Sequence, residues 1–166
     1  MQLLFTLDSN NYSACQSVVE KSSIRAIIIK DGKLYLQQDS DGYYKLSGGG
    51  PENDEDHLST LKREVAEELG RNIIPSTMSE IGYVDEVRAD IFNPSIKYIC
   101  HTYYYRVDVD DSCRELKLTE SEHRRGFHFA EATMDEIIDR NSKRLLYNNG
   151  TLDKDTEFLK WYKEHT

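Results

Sequence analysis

An α/β fold, with a mixed sheet between helical layers, is what the sequence predicts, and three observations carry it. β-branched and aromatic runs interleave with amphipathic helical runs along the chain. One pair of strand-like runs is joined by a tight two-residue turn, which an all-parallel sheet would not contain. And 166 residues, 38% of them hydrophobic, suffice for one domain with its own core but are too few for two, so a single domain over 1–166 is expected.

Each element has its own warrant. IRAIIIKDGKLYLQQ, residues 24–38, places two apolar or alternating runs around Asp31-Gly32, a dipeptide that readily supplies the positive φ angles of a hairpin turn. YYKL at 43–46 is strand-like and leads into LSGGGPEND. Over 56–69 a helix is predicted, because Leu58, Leu61, Val65 and Leu69 fall within an arc of about 80° at 100° per residue. Segments 80–88 and 97–109, rich in Ile, Val and Tyr, read as strands, and 127–129 as one more short strand. Helices are expected at 134 to about 140 and at 153–164, the last with Leu152, Phe158, Leu159, Trp161 and Tyr162 as its packing stripe.

Composition removes several classes of function. A net charge of −9 argues against an electrostatic footprint for duplex nucleic acid, which rests on clustered Lys and Arg. The longest clear apolar run, 26–29, is far too short to span a bilayer, and the N-terminus lacks the pattern of a secretion signal, so a cytoplasmic location is the default expectation. Cys15, Cys100 and Cys113 are odd in number and unrelated in spacing, and read as reduced thiols rather than a disulfide framework or zinc site. Charge is also unevenly placed: residues 51–70 carry seven acidic and two basic side chains, −5 of the −9.

The chemistry concentrates in that segment. Glu64, Glu67 and Glu68 occupy an arc of about 100° beside the apolar stripe of the predicted helix. Like charges four apart weaken an isolated helix by a few tenths of a kcal/mol, so something should compensate. A magnesium ion would, since it prefers carboxylate oxygens and completes its shell with water and substrate phosphates. A solvated face neutralised by Lys62 and Arg63 is the plainer alternative. Three glycines at a strand-to-helix junction favour the first, because glycine permits a sharp turn and close approach of backbone groups to an ion or phosphate. No P-loop, dinucleotide fingerprint or calcium loop is present.

From Gly49 the chain reads G-GPEND-E-DHLSTLK-REVAEELGR, which resembles the Nudix box, G-x5-E-x7-R-E-U-x-E-E-x-G-U with U aliphatic. Gly49, Glu55, Arg63, Glu64, Glu67, Glu68 and Gly70 stand in register and Val65 fills the internal aliphatic slot. The last slot departs, being Arg71, with Ile73 and Ile74 just after it. Ser47 stands where the family often has proline, and Asp54 where it often has a second glycine. The resemblance implies a Nudix-like α/β/α sandwich and a hydrolase of nucleoside diphosphates linked to another moiety, dependent on Mg2+ or Mn2+. It implies Glu64, Glu67 and Glu68 as metal ligands, with the Gly49 carbonyl as a further one, and Glu55 and Arg63 as braces of loop and helix.

For the group that takes the proton of the attacking water, the resemblance points to a later loop, where Glu120 and Glu122 lie in LTESEHRRGFHF; Glu122 is the choice. The catalytic set is then Glu64, Glu67 and Glu122. Tyr83, Tyr98, Tyr103, Tyr104 and Tyr105 could stack on a base or simply pack strands, and Arg88, Lys97 and His101 are candidate phosphate contacts. The alternative function is a catalytically inactive nucleotide-binding or regulatory module of the same fold, which would predict erosion of the glutamates. The expected partner is a small nucleotide or nucleotide derivative, with no membrane and a homodimer left open.

Overall fold

The computed structural model describes residues 1–144 and 153–166. Among the described residues nine strands form: β1 (Leu3–Asp8), β2 (Ser17–Ile27), β3 (Ile29–Lys30), β4 (Lys33–Gln38), β5 (Tyr44–Lys45), β6 (Gly48–Gly49), β7 (Ser79–Ala89), β8 (Ile96–Arg106) and β9 (His128–Ala132). The α-helices described are α1 (His57–Leu69), α2 (Glu120–Arg125), α3 (Met134–Ser142) and α4 (Lys154–His165). One sheet has the order β1-β7-β8-β2-β6, and a smaller one places β4 between β3 and β5 on one side and β9 on the other. The larger sheet is mixed: β1 with β7 and β2 with β8 are parallel, β7 with β8 and β2 with β6 antiparallel.

Period-two alternation along β2 explains how one strand serves two layers. Ile24, Ala26 and, just beyond the strand, Ile28 face one side and pack with Leu61, Val65 and Leu69 of α1. Ile27 faces the other side, in the cluster of Leu34, Leu36, Val84, Tyr104, Ile137, Phe158 and Leu159 contributed by β4, β7, β8, α3 and α4. A strand covered on both faces can afford a continuous apolar run, which is why AIII stands there.

The Asp31-Gly32 turn forms with both residues at positive φ, 51° and 77°. Its ladder is short, however: Ile29 and Lys30 pair across it with Leu34 and Lys33, and one more bond runs from the Tyr35 amide to the Ile28 carbonyl. The earlier part of the run, β2, is claimed by β8 in the other sheet, because eleven paired residues outweigh a prolonged hairpin. β8 stops at Arg106 rather than 109, and Val109 makes an isolated bridge to Ile73. The short strand expected at 127–129 is β9, shifted to His128–Ala132. The 120–125 stretch, expected as loop, is α2: Thr119 caps it and Glu122 closes a reciprocal capping box, a signature readable as T-x-x-E. β1 was not anticipated, although Leu3, Phe5 and Leu7 alternate. Leu152 lies outside the described residues; Phe158, Leu159, Trp161 and Tyr162 do form the packing side of α4.

Phe158 is the keystone of the α4 layer, fully buried and stacked on Tyr104 with ring centroids 3.5 Å apart. Phe158→Ala is expected to cost about 3–5 kcal/mol, measured as the shift in urea unfolding; a cost below about 1 kcal/mol would mean that α4 contributes little to the core.

Candidate active site

Two caps aim α1. Asp56 accepts a hydrogen bond from the Ser59 amide at 2.7 Å, opening the helix, and Gly70 closes it at φ 64°. A side chain at Gly70 would run into the Arg114 carbonyl, so the left-handed turn and the close packing both require glycine. The helix thus lies with its apolar stripe on β2 and its middle and last turns, through Arg63, Glu64 and Glu68, beside the glycine loop.

Arg63 organises the outer side of that junction. Its Nε and Nη2 donate to the two oxygens of Glu55 at 2.9 and 3.0 Å, Nη2 also reaches the Gly50 carbonyl at 3.1 Å, and Nη1 donates to Glu64 at 2.8 Å. The same Nη1 lies 3.5 Å from Glu67. Glu55 additionally accepts from the Glu52 amide and the Thr60 hydroxyl, and these donors, Arg63 foremost, hold its carboxyl down at about 2. The Arg63 guanidinium is in turn pushed up, chiefly by its bond to Glu55. Gly49 packs on the Glu64 carboxylate so closely that a Cβ would collide with it.

The inner side is built on Glu68, which is only 2% exposed. One oxygen accepts from Lys45 Nζ at 2.7 Å; the other accepts from Ser47 Oγ and the Gly48 amide, both at 2.8 Å. Burial raises its pKa, against the pull of Lys45. Lys45 also donates to Glu122 at 3.0 Å, so the structure brings Glu122 to the box carboxylates through a shared ammonium. Burial would raise the Glu122 carboxyl, but bonds from Thr119 and the Lys45 charge prevail and hold it at about 2. Glu120, its neighbour in α2, is exposed.

Lys45 and Arg25 were not singled out in the sequence, and Ser47 was noted only as a departure from the family's proline, not as a donor. Positions 45 and 47 have the i, i+2 spacing of one face of an extended chain, which is how both reach one carboxylate. Arg25 is half-buried, paired with Asp155 at 3.1 Å and bonded to the Gly48 carbonyl, with its pKa raised because Asp155 and Glu68 outweigh the desolvation.

The candidate substrate contacts divide. Tyr104 is fully buried and Tyr105 nearly so, whereas Tyr83 and Tyr103 sit beside each other, 5.4 Å between centroids, with His57 4.6 Å from Tyr103. The cations are engaged: Arg88 with Glu86 at 2.7 Å and over the Tyr98 ring, Lys97 over Tyr12, and His101 between Asp85 and Glu20, each at 2.6 Å.

A family model described as "NUDIX domain" matches residues 20–147, which contain the glycine loop, α1, Lys45 and Glu122. The chain belongs to the NUDIX family. As a Nudix pyrophosphohydrolase it acts on phosphoric anhydrides. It is similar to the nucleoside triphosphatase NudI of Escherichia coli and of Shigella flexneri, 27% identical over 107 residues, covering 61% of this chain and 76% of the relative in each case. Among solved structures, a NUDIX hydrolase from Nitrosomonas europaea matches with TM-score 0.57 at 19% identity, over 75% of this chain and 79% of that one. The MutT protein of Bacillus halodurans matches with TM-score 0.53 at 17% identity, over 84% and 80%. These last two speak for the α/β fold.

Among the described residues no three Asp, Glu, His or Cys side chains are gathered into a ready metal cage, since Arg63 and Lys45 draw the Nudix glutamates to opposite sides. The donor set nevertheless fits a hard divalent ion: carboxylate oxygens on one helix face, against a glycine that leaves them room.

Gly48→Ala and Gly49→Ala should separate fold from site. At Gly48 the obstacle is the Ile24 carbonyl and φ is 137°, so alanine is expected to cost about 2–4 kcal/mol. At Gly49 only the movable end of Glu64 is in the way, so urea unfolding should change by less than about 1 kcal/mol while turnover falls sharply. Equal destabilisation by both would contradict this assignment. A second expectation concerns His101, whose pKa is raised by Glu20 and then Asp85. The charged form is favoured by folding, so the stabilisation is full below the unfolded value of about 6.5 and is lost as pH rises through the folded one. The thermal stability of wild type relative to His101→Gln should therefore shrink above about pH 6.5, by on the order of 1 kcal/mol or less given solvent screening. A gap that is flat or widens with pH would contradict the assignment.

Proposed function

We propose that the chain hydrolyses a nucleoside diphosphate linked to another moiety, with the terminal phosphate of a nucleoside triphosphate as one such moiety, in a Mg2+- or Mn2+-dependent reaction. The observation that carries this reading is the placement of Glu64, Glu67 and Glu68 on one helix against the glycine loop, with Glu122 brought to the same place by Lys45. The similarity to NudI, itself a nucleoside triphosphatase, supports the choice of substrate class.

The ion's ligands would be drawn from Glu64, Glu67, Glu68 and the Gly49 carbonyl. When bound, such an ion neutralises phosphoryl oxygens and lowers the pKa of a coordinated water. Arg63 and Glu55 hold the loop and the first turns of α1 so that Glu64 stays over Gly49. Glu122, kept ionised by Thr119 and Lys45, is the carboxylate that accepts the water's proton.

Phosphate or pyrophosphate release should be followed across a panel of nucleoside triphosphates and diphosphate-linked nucleotides with Mg2+. Turnover of at least one compound is expected, with Glu67→Gln abolishing it and Glu122→Gln lowering kcat by about 10²-fold or more while metal affinity stays near wild type. Tight binding without turnover anywhere on the panel would overturn the reading, and unchanged turnover in Glu122→Gln would remove that residue from the mechanism.

A further inference from the structure

The two halves of the carboxylate patch are not equivalent. On the outer half, Glu64 accepts a hydrogen bond at one oxygen only, from Arg63, and Glu67 accepts none among the described residues, its side chain being 38% exposed and its nearest cation 3.5 Å away. On the inner half all four carboxylate oxygens are taken. Glu68 uses one for Lys45 and the other for Ser47 and Gly48; Glu122 uses one for Lys45 and the other for the amide and hydroxyl of Thr119, at 2.9 and 3.0 Å.

Lys45 is built in rather than draped over this pair. Its backbone is held in β5 opposite Gln37, and its ammonium lies 5.5 Å from the centroid of the buried Phe127 ring. Gln37 itself is fully buried, with neither its amide nitrogen nor its oxygen partnered among the described residues. Freeing Glu68 from the ammonium would leave a nearly solvent-free carboxylate short of its charge partner, the expensive way to break a buried pair. One positive charge already bridges these two carboxylates, 2.7 Å from Glu68 and 3.0 Å from Glu122.

We propose that Lys45 is a resident cation of the site, holding the place between Glu68 and Glu122 that a second divalent ion would otherwise take. One divalent ion, on Glu64 and Glu67, then completes the site. The proposal rests on the metal-dependent reading above and narrows it: Glu68 serves as the anchor of Lys45, and the ammonium supplies the second positive charge facing the anhydride.

Counting Mn2+ bound per chain, by loss of the free-ion EPR signal in an equilibrium titration up to submillimolar concentration, tests it without recourse to activity. Wild type is expected to bind one ion, Lys45→Arg one, Lys45→Met two, and Lys45→Met with Glu122→Gln one again. Circular dichroism establishes that each variant is folded. Two ions on wild type overturn the proposal even if Lys45→Met does not fold, and one ion on both wild type and folded Lys45→Met overturns it while leaving the hydrolase reading intact. No bound ion on any of the proteins removes the metal-dependent reading together with this one.

Discussion

Burial of the Glu68 carboxylate is the constraint on which the rest of the site depends. Taking an ionised group out of water is costly unless its oxygens are met by donors, and here three donors come from Lys45, Ser47 and Gly48, within four successive positions of the chain. A single side chain of α1 therefore fixes where β5 ends, how the glycine loop turns and how near the helix approaches it. Serine at 47 belongs to this arrangement: where the family often carries a ring without a donor, this chain supplies a hydroxyl to the buried oxygen.

The repulsion among three glutamates on one helix is answered from two directions. Lys62, an obvious neutraliser in the sequence, is exposed and makes no ion pair among the described residues. Arg63 does the work on the outer side because its planar fork also grips Glu55 and Gly50, so one guanidinium both neutralises and shapes the loop. The inner side is answered by Lys45, from a different element altogether.

How much was legible beforehand follows from the range of each interaction. The helix at α1 and its carboxylate face were legible because they are set by spacing within one segment, and so was the Asp31-Gly32 turn. The departure of β2 from that hairpin was not, since it depends on β8, whose partner residues lie about 80 positions away in the sequence. The α2 cap could have been read from Thr119 and Glu122, but a six-residue helix has almost no periodicity to announce it. Lys45 escaped notice for a similar reason: nothing local marks a lysine in a short strand as the partner of carboxylates 23 and 77 positions further on.

Arg25 extends the reach of the site to the end of the chain. Its guanidinium joins the Gly48 carbonyl to Asp155, 130 positions away at the start of α4, and Asp155 is held in place by the Tyr104 hydroxyl at 2.8 Å. The backbone that cradles the acidic cluster is thus registered against the last helix by one ion pair. A change near residue 155 would tilt that cradle without touching any glutamate, and a survey of variants scored only by distance from the glutamates would file such a change as remote.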